Sequence, residues 1–386
     1  MWIEVSNDFC DDLEINPTGS SDTICDGLSL GITNLLMMMM KNRHIVFFSY
    51  VLLEKIINNP TFAHNTRQYA KYVKKNYTYI YSGRSNIKHK IIVDKSLSIT
   101  KNGTYYFVPI SYFYDEKKMK LVVEHESDCF VYKGIYKYIK KNKAPNSYYD
   151  ICFENDSCHG SNVAPKIEEI ANENNMGILF LDSDQDFYGG AMGETYKKAA
   201  KEIKNYSDKI IDLNVLTVRE KENLFSPGMY APFCVEESKR DFLKKLENFK
   251  NKDIYYYFDI KDGIKYQKYK DPDWEKHYHS YIPSFISSGI LKIRDDLKSD
   301  DLCTEFIGDK LCDTLCKTFL MASDSEYDYK QIEKDYGKFN ASDILDIRKN
   351  ISRFLPSDLY LEWERIYEIL GDWGISIADK YKYRIA

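Results

Sequence analysis

The 386-residue sequence holds nine cysteines but no CxxC pair, which removes the ligand spacing of a zinc ribbon and the dithiol of a thioredoxin-type redox site. Their odd number and scattered positions point to reduced thiols, as expected of a cytoplasmic protein, and not to a disulfide framework. Long apolar runs are also lacking. The stretch IVFFSYVLL at 45–53 is about half the ~20 residues needed to span a bilayer, and Lys41, Asn42 and Arg43 separate it from LLMMMM, so no membrane segment is expected. The opening WIEVSNDFCDDLE is acidic and has no basic segment ahead of an apolar one, so no secretory leader is expected either. The 18 glycines and 10 prolines are too few for a low-complexity chain. A positive excess is missing as well: the formal charge of −5 argues against a protein that coats nucleic acid by bulk electrostatics.

What is present is ordinary globular composition, 44% hydrophobic and 29% charged, in a chain long enough for two or three folding units. The 33 tyrosines make any single aromatic poor evidence of function. Charge is distributed unevenly. Residues 1–40 carry seven carboxylates, from Glu4 to Asp26, and no Lys or Arg, whereas 55–93 carry eight Lys or Arg, from Lys55 to Lys90, and no Asp or Glu. Tyr69, Tyr72, Tyr77, Tyr79 and Tyr81 interleave with these cations, a pattern suited to phosphate contact with base stacking and equally to a solvated face of a Tyr-rich protein.

The pattern divides into three regions. Residues 1–119 read as helices over 30–76, then strands over IYSG, HKIIVDKSLSIT and TYYFVPISYF, with a turn at Asn102-Gly103. Residues 120–235 alternate: strand KLVVEH, helix 128–141, strand YYDICFE, helix 162–173, strand GILFLD, helix 194–204, strand KIIDLNVL. That order implies an α/β unit with a mostly parallel sheet and helices on both faces, whose chemistry lies beyond the carboxyl ends of the strands. Residues 236–386 read as mainly helical, with SKRDFLKKLENFK, DDLCTEFIGDKLCDTLCKTFLM and SDLYLEWERIYEILGDW the clearest segments, a cap or partner-binding region.

Three acids, Asp182, Asp184 and Asp186, follow the apolar strand in GILFLDSDQDFYGG. On continued strand geometry Asp182 and Asp184 face the same way and make a hard-oxygen site for Mg²⁺ or Mn²⁺, because like charges so close need a cation to neutralise them. Glu124 ends the first strand of the unit, and Asp128 starts the next helix at an N-cap position. In CHGSNV, Gly160 allows a tight turn and Asn162 caps a helix, so backbone N–H groups there could face a phosphate.

This arrangement resembles the Toprim domain of topoisomerases, bacterial primases and OLD-type nucleases: Glu124 with Asp128 as an E-x-x-x-D element, Gly160 in the turn after the second strand, Asp182 with Asp184 as the D-x-D. The segment VLTVREKENLFSP at 215–227 is similar to the element that follows the core in solitary Toprim-like effectors of phage-defence modules, the PARIS effector type. His125 departs from the glycine many Toprim domains carry after the glutamate. The resemblance implies a nuclease that hydrolyses phosphodiester bonds in DNA or RNA, transfer RNA included, with Glu124, Asp128, Asp182 and Asp184 holding one or two Mg²⁺ and with Asp186 and Glu222 as further candidates. It also implies an antiviral role and an ABC-type ATPase partner; a homo-oligomer is left open by the sequence. Lys133, Lys137 and Lys140, on the first helix of the unit, are the candidate substrate contacts.

Two other readings stand beside it. The D-x-D at 182–184 also resembles the Mn²⁺ site of nucleotide-sugar-dependent glycosyltransferases, which leaves Glu124, Asp128 and the Gly160 turn unused. A binding module with a silent acidic site under partner control is the third.

Overall fold

Trp2, Ile3 and Val5 bury their side chains on the first strand, β1 (Trp2–Val5), which lies second from one edge of a five-stranded sheet. The structure, a computed structural model, describes residues 1–13, 23–249, 252–316, 334 and 338–378. The sheet runs β2 (Ile45–Phe47), β1, β3 (Lys90–Asp94), β5 (Tyr105–Pro109), β4 (Thr100–Asn102), parallel except for the β4–β5 hairpin. That hairpin turns where expected, with Gly103 at φ 61°, a conformation that glycine adopts without steric cost.

Helices α1 (Thr23–Met40), α2 (Tyr50–Asn58) and α3 (His64–Lys75) accompany the sheet. The N-terminal region is therefore α/β throughout, and not helical and then β. The apolar run 45–56 splits into a three-residue strand and a helix at Ser49, whose hydroxyl accepts from Leu52 N–H as an N-cap. The IYSG stretch is not a strand: Tyr77–Ile80 is a helical turn (α4), and the buried Tyr81 donates from its hydroxyl to Val46 O at 2.7 Å. The basic and aromatic stretch is consequently mostly interior or paired. Tyr69 and Tyr81 are buried, Arg84 and Lys90 bind Glu4, and Lys74 binds Glu54.

The second sheet has the order β10 (Ile211–Val215), β9 (Met176–Leu181), β6 (Met119–Val123), β8 (Glu154–Ser157), and every pairing is parallel. Strands β6 and β9 are buried along their whole length, which is why they read as unbroken apolar runs. Helix α5 (Asp128–Lys143) packs with the main core on one face. On the other, α6 (Val163–Asn172) and Ala199 of α7 (Glu194–Glu202) close a smaller core with Val122, Leu179 and Leu181. The expected strand YYDICFE is not the one in the sheet: its β7 (Tyr149–Ile151) pairs with β11 (Ile375–Ile377), and the strand that joins β6 is the polar β8, which shares only Glu154 with the expected stretch.

The C-terminal region is helical at Glu237–Glu247, Asp309–Cys316 and Ser357–Gly374, whereas 300–308 is irregular; residues 317–321 of the expected helix lie outside the described residues. The last of these helices is locked to the central unit. Trp363 Nε1 donates to Leu224 O at 2.8 Å and Arg365 to Val215 O at 2.7 Å. One apolar core runs unbroken across positions 119 and 235, the boundaries expected between the three regions. Among the described residues, no helix is long and apolar enough to cross a membrane.

Candidate functional site

Strand register carries the distant acids to one rim. Leu121 pairs with Ile178 and Val122 with Leu179, so β6 and β9 end together, and Glu124 and Asp182 leave adjacent parallel strands at their carboxyl ends. Asp128 opens α5 one turn later, behind Ser127 in the N-cap position, and is itself 3% exposed. Its Oδ2 accepts from His125 N–H at 2.9 Å, and its Oδ1 meets Lys221 Nζ at 2.5 Å. Beyond β10 the chain returns over the same rim, where Glu220, Lys221, Glu222 and Asn223 are all buried.

The electrostatics show how closely these groups gather. The fully buried Tyr132 has its phenol pushed well up by burial and then by Asp182, Asp128, Glu124 and Glu222 together. The Glu124 carboxyl is pushed up to about 7 by burial, Asp184 and Asp128, against a backbone N–H from Asp182 that favours its charge. Burial first, and Glu124 next, hold Asp182 well above the usual carboxylate range. Burial also takes Glu222 to about 7, opposed by Lys221 and Lys261, and raises Glu220, with Glu222 adding to it. Burial opposes the charge on Lys221, but Asp128 and then Glu222 keep its pKa above that of an ordinary lysine. Three buried carboxylate oxygens here have no partner, Glu124 Oε1, Asp182 Oδ1 and Glu220 Oε1, while Glu222 Oε1 lies 3.9 Å from Lys221 Nζ. Unpartnered buried acceptors are costly and uncommon, and hard oxygens in this state suit Mg²⁺ or Mn²⁺. No group of three or more His, Cys, Asp or Glu among the described residues forms a ready-made cation cage. The donor chemistry therefore fits such an ion, while the donors are not drawn together around one point.

Several expectations need correction. Asp182 and Asp184 do not continue a strand: β9 stops at Leu181, and Asp184 sits at φ 51° with its N–H bound to Arg219 O at 2.9 Å, as is that of Ser183. Gly193 makes room for this turn, since a Cβ there would bring three side-chain atoms of Asp184 under 3.0 Å. Asp186 is engaged as the anion partner of Arg219 (2.6 Å) and Lys268, which leaves it unsuited to a cation. The N–H of Gly160, at φ 67°, donates to Glu124 O at 3.3 Å and so is not left for a phosphate; it braces the strand end that carries the acid. Asn162 makes no side-chain cap. Of the candidate lysines, Lys133 is half-buried and donates to Asn155, Lys140 pairs with Asp150 at 3.0 Å, and only Lys137 is exposed. They also run away from the rim, since Lys140 lies twelve residues along α5, roughly 18 Å from Asp128.

Lys221, Glu220, Arg219, Lys261 and Tyr132 escaped the sequence reading. The segment REKEN supplied a signal in its alternating charges, yet which charge faces the acids depends on how β10 exits.

Cation-free protein is expected to lose stability as pH rises. The Glu222 side chain keeps its proton in the fold to about 7, whereas the unfolded chain releases it near 4.5. Stability is therefore full below about 4.5 and falls as pH climbs through about 7, by about 3 kcal/mol for this fully buried group. Urea midpoints in EDTA at pH 5 and pH 7.5 measure the slope; Glu222→Gln should flatten it, and an unchanged slope would contradict the assignment.

Comparison with family models, with curated proteins and with solved structures finds no match to this chain.

Proposed function

We propose that this chain is a divalent-cation-dependent nuclease of Toprim type that hydrolyses phosphodiester bonds in nucleic acid. The observation that carries the reading is the gathering of Glu124, Asp128, Asp182, Asp184 and Glu222 at the carboxyl rim of a parallel sheet, with buried oxygens of Glu124, Asp182 and Glu220 there unpartnered. Glu124, Asp182, Asp184 and Glu222 would hold Mg²⁺ or Mn²⁺. The bound ion supplies charge neutralisation and Lewis acidity toward the phosphodiester. Around it the chain's own groups have definite tasks. In the cation-free protein the Glu124 and Glu222 carboxyls are held up to about 7, so at neutral pH they would give up protons as the ion binds. Lys221 and Lys261 put positive charge beside the acids, where the charge on a transferring phosphoryl group needs stabilising.

A glycosyltransferase needs only the D-x-D; the coupling of Glu124 to Asp182 favours the nuclease. One observation favours partner control within that reading. Asp128 is held by Lys221, so a partner, substrate or cation that displaces the lysine would complete the acid set. The anti-phage role and the ABC-type ATPase partner rest on the resemblance described above.

The test is cleavage of end-labelled DNA and RNA with Mg²⁺ or Mn²⁺, with EDTA and with UDP-sugars in parallel. Cation-dependent cleavage that Glu124→Gln lowers by about 10²–10⁴-fold is expected. Turnover of sugar nucleotides without nuclease activity would reject the proposal. Should the pure chain be inert, toxicity in cells compares the same variant with wild type, and equal toxicity argues against acid-dependent chemistry.

A further inference from the structure

Beside the acid rim lies a cavity of about 620 Å³, within the range of small-ligand sites of about 300–1,000 Å³. Tyr188, Tyr256, Tyr257, His277, Tyr278 and Tyr281 line it. Its walls continue the segments that carry the acids. Tyr188 follows Asp184 by four residues, which span at most roughly 14 Å. The Tyr278 hydroxyl donates to Asp186 O at 2.7 Å, and the His277 ring stacks on Phe187 at 4.5 Å, so the aromatic wall is pinned to the D-x-D loop. On the other side, the Tyr257 hydroxyl donates to Thr217 O at 2.9 Å and Arg219 N–H to Tyr256 O at 2.8 Å, which pins it to the segment leading to Glu220 and Glu222.

The chemistry of the lining separates a ring from a phosphate. Among the described residues no Lys or Arg lines the cavity, while Asp358 does, so an anion is disfavoured and a neutral planar group is favoured. Tyr188 is 81% exposed and stands edge-on to Tyr257 at 6.4 Å, a large ring left in water at the cavity. Aromatic platforms beside a backbone-binding rim are how single strands are held, because every base has a π-face. A base within a duplex has both faces stacked and cannot enter unless it is extruded.

We propose that this cavity receives an unpaired nucleobase adjacent to the phosphodiester on the acid rim, so that the substrate is single-stranded at the point of cleavage. The inference rests on the nuclease reading for its orientation, and its test separates the two. Single-stranded DNA and RNA oligonucleotides containing 2-aminopurine, whose fluorescence falls on stacking, are titrated with the full chain carrying Asp182→Asn to prevent turnover. Quenching is expected, with weaker binding of the matched duplex. Tyr188→Ala added to that chain should weaken single-strand affinity by about 5- to 150-fold, the cost of one stacked base, while Tyr188→Phe keeps it. Quenching and affinity indifferent to Tyr188→Ala, or equal affinity for duplex, would overturn the pocket. Cleavage by the chain with native acids is followed in parallel. Tyr188-dependent quenching without cleavage refutes only the nuclease reading, and cleavage of single strands untouched by Tyr188→Ala refutes only the pocket.

Discussion

Asp182→Asn is expected to abolish cation-dependent cleavage, by about 10²–10⁴-fold or more, and at the same time to stabilise the cation-free protein. Both effects have one cause. Burial and the neighbouring Glu124, Asp128, Glu222 and Glu220 carboxyls hold the Asp182 carboxyl well above the usual carboxylate range, and its Oδ1 has no hydrogen-bond partner. The fold therefore carries an acid it does not use for packing, and an isosteric amide removes the repulsion without opening a cavity. Sites strained for function commonly show this opposition of stability and activity. A gain of about 1–3 kcal/mol in urea unfolding is expected in EDTA, shrinking when Mg²⁺ is added because only the wild type gains from the ion. A variant that loses stability in EDTA, or keeps full cleavage, would show that Asp182 is a structural acid.

Lys221→Met should cost about 3–5 kcal/mol, as removal of one member of a buried ion pair leaves the other uncompensated. Asp128 is 3% exposed and Lys221 6%, and their contact at 2.5 Å joins α5 to the segment after β10. Replacing both, as Lys221→Met with Asp128→Asn, should recover most of that loss, because the stranded carboxylate is what destabilises the single variant. The double-mutant cycle, read from urea midpoints, isolates the coupling. Additive losses would mean that Lys221 contributes by packing alone. The pair also explains why the acids fold without forming a cation cage: a lysine already neutralises one of them.

The central unit was legible because its signals are local. GILFLD is apolar along its whole length and β9 is buried on both faces, and an alternation of such strands with helices leaves few topologies open. The N-terminal sheet was legible only in part: β3, β5 and the turn at Gly103 fall where expected, whereas β1 and β2 were missed. β2 has three residues and runs into an apolar helix, so periodicity could not divide them, and β1 is a four-residue strand at the start of the acidic stretch 1–40, where Glu4 pairs with Arg84 and Lys90. The Asp186 expectation failed for a related reason. Its spacing from Asp184 suited a metal set, but Arg219 and Lys268, 33 and 82 residues further on, reach it first.

The sequence alone determined the α/β alternation of residues 120–235, β8 excepted, and the emergence of Glu124 and Asp182 at strand ends, since burial of a short apolar run dictates where its flanking acids appear. Only the tertiary structure decided which charges meet: that β6 neighbours β9, that Lys221 takes Asp128, that Asp186 is spent on Arg219, and that of 33 tyrosines Tyr132 lies buried among the acids while Tyr188 stands exposed at the cavity. Strand formation follows from side-chain alternation within a few residues, whereas a contact between charges far apart in the chain exists only after strand order and register have brought their backbones together.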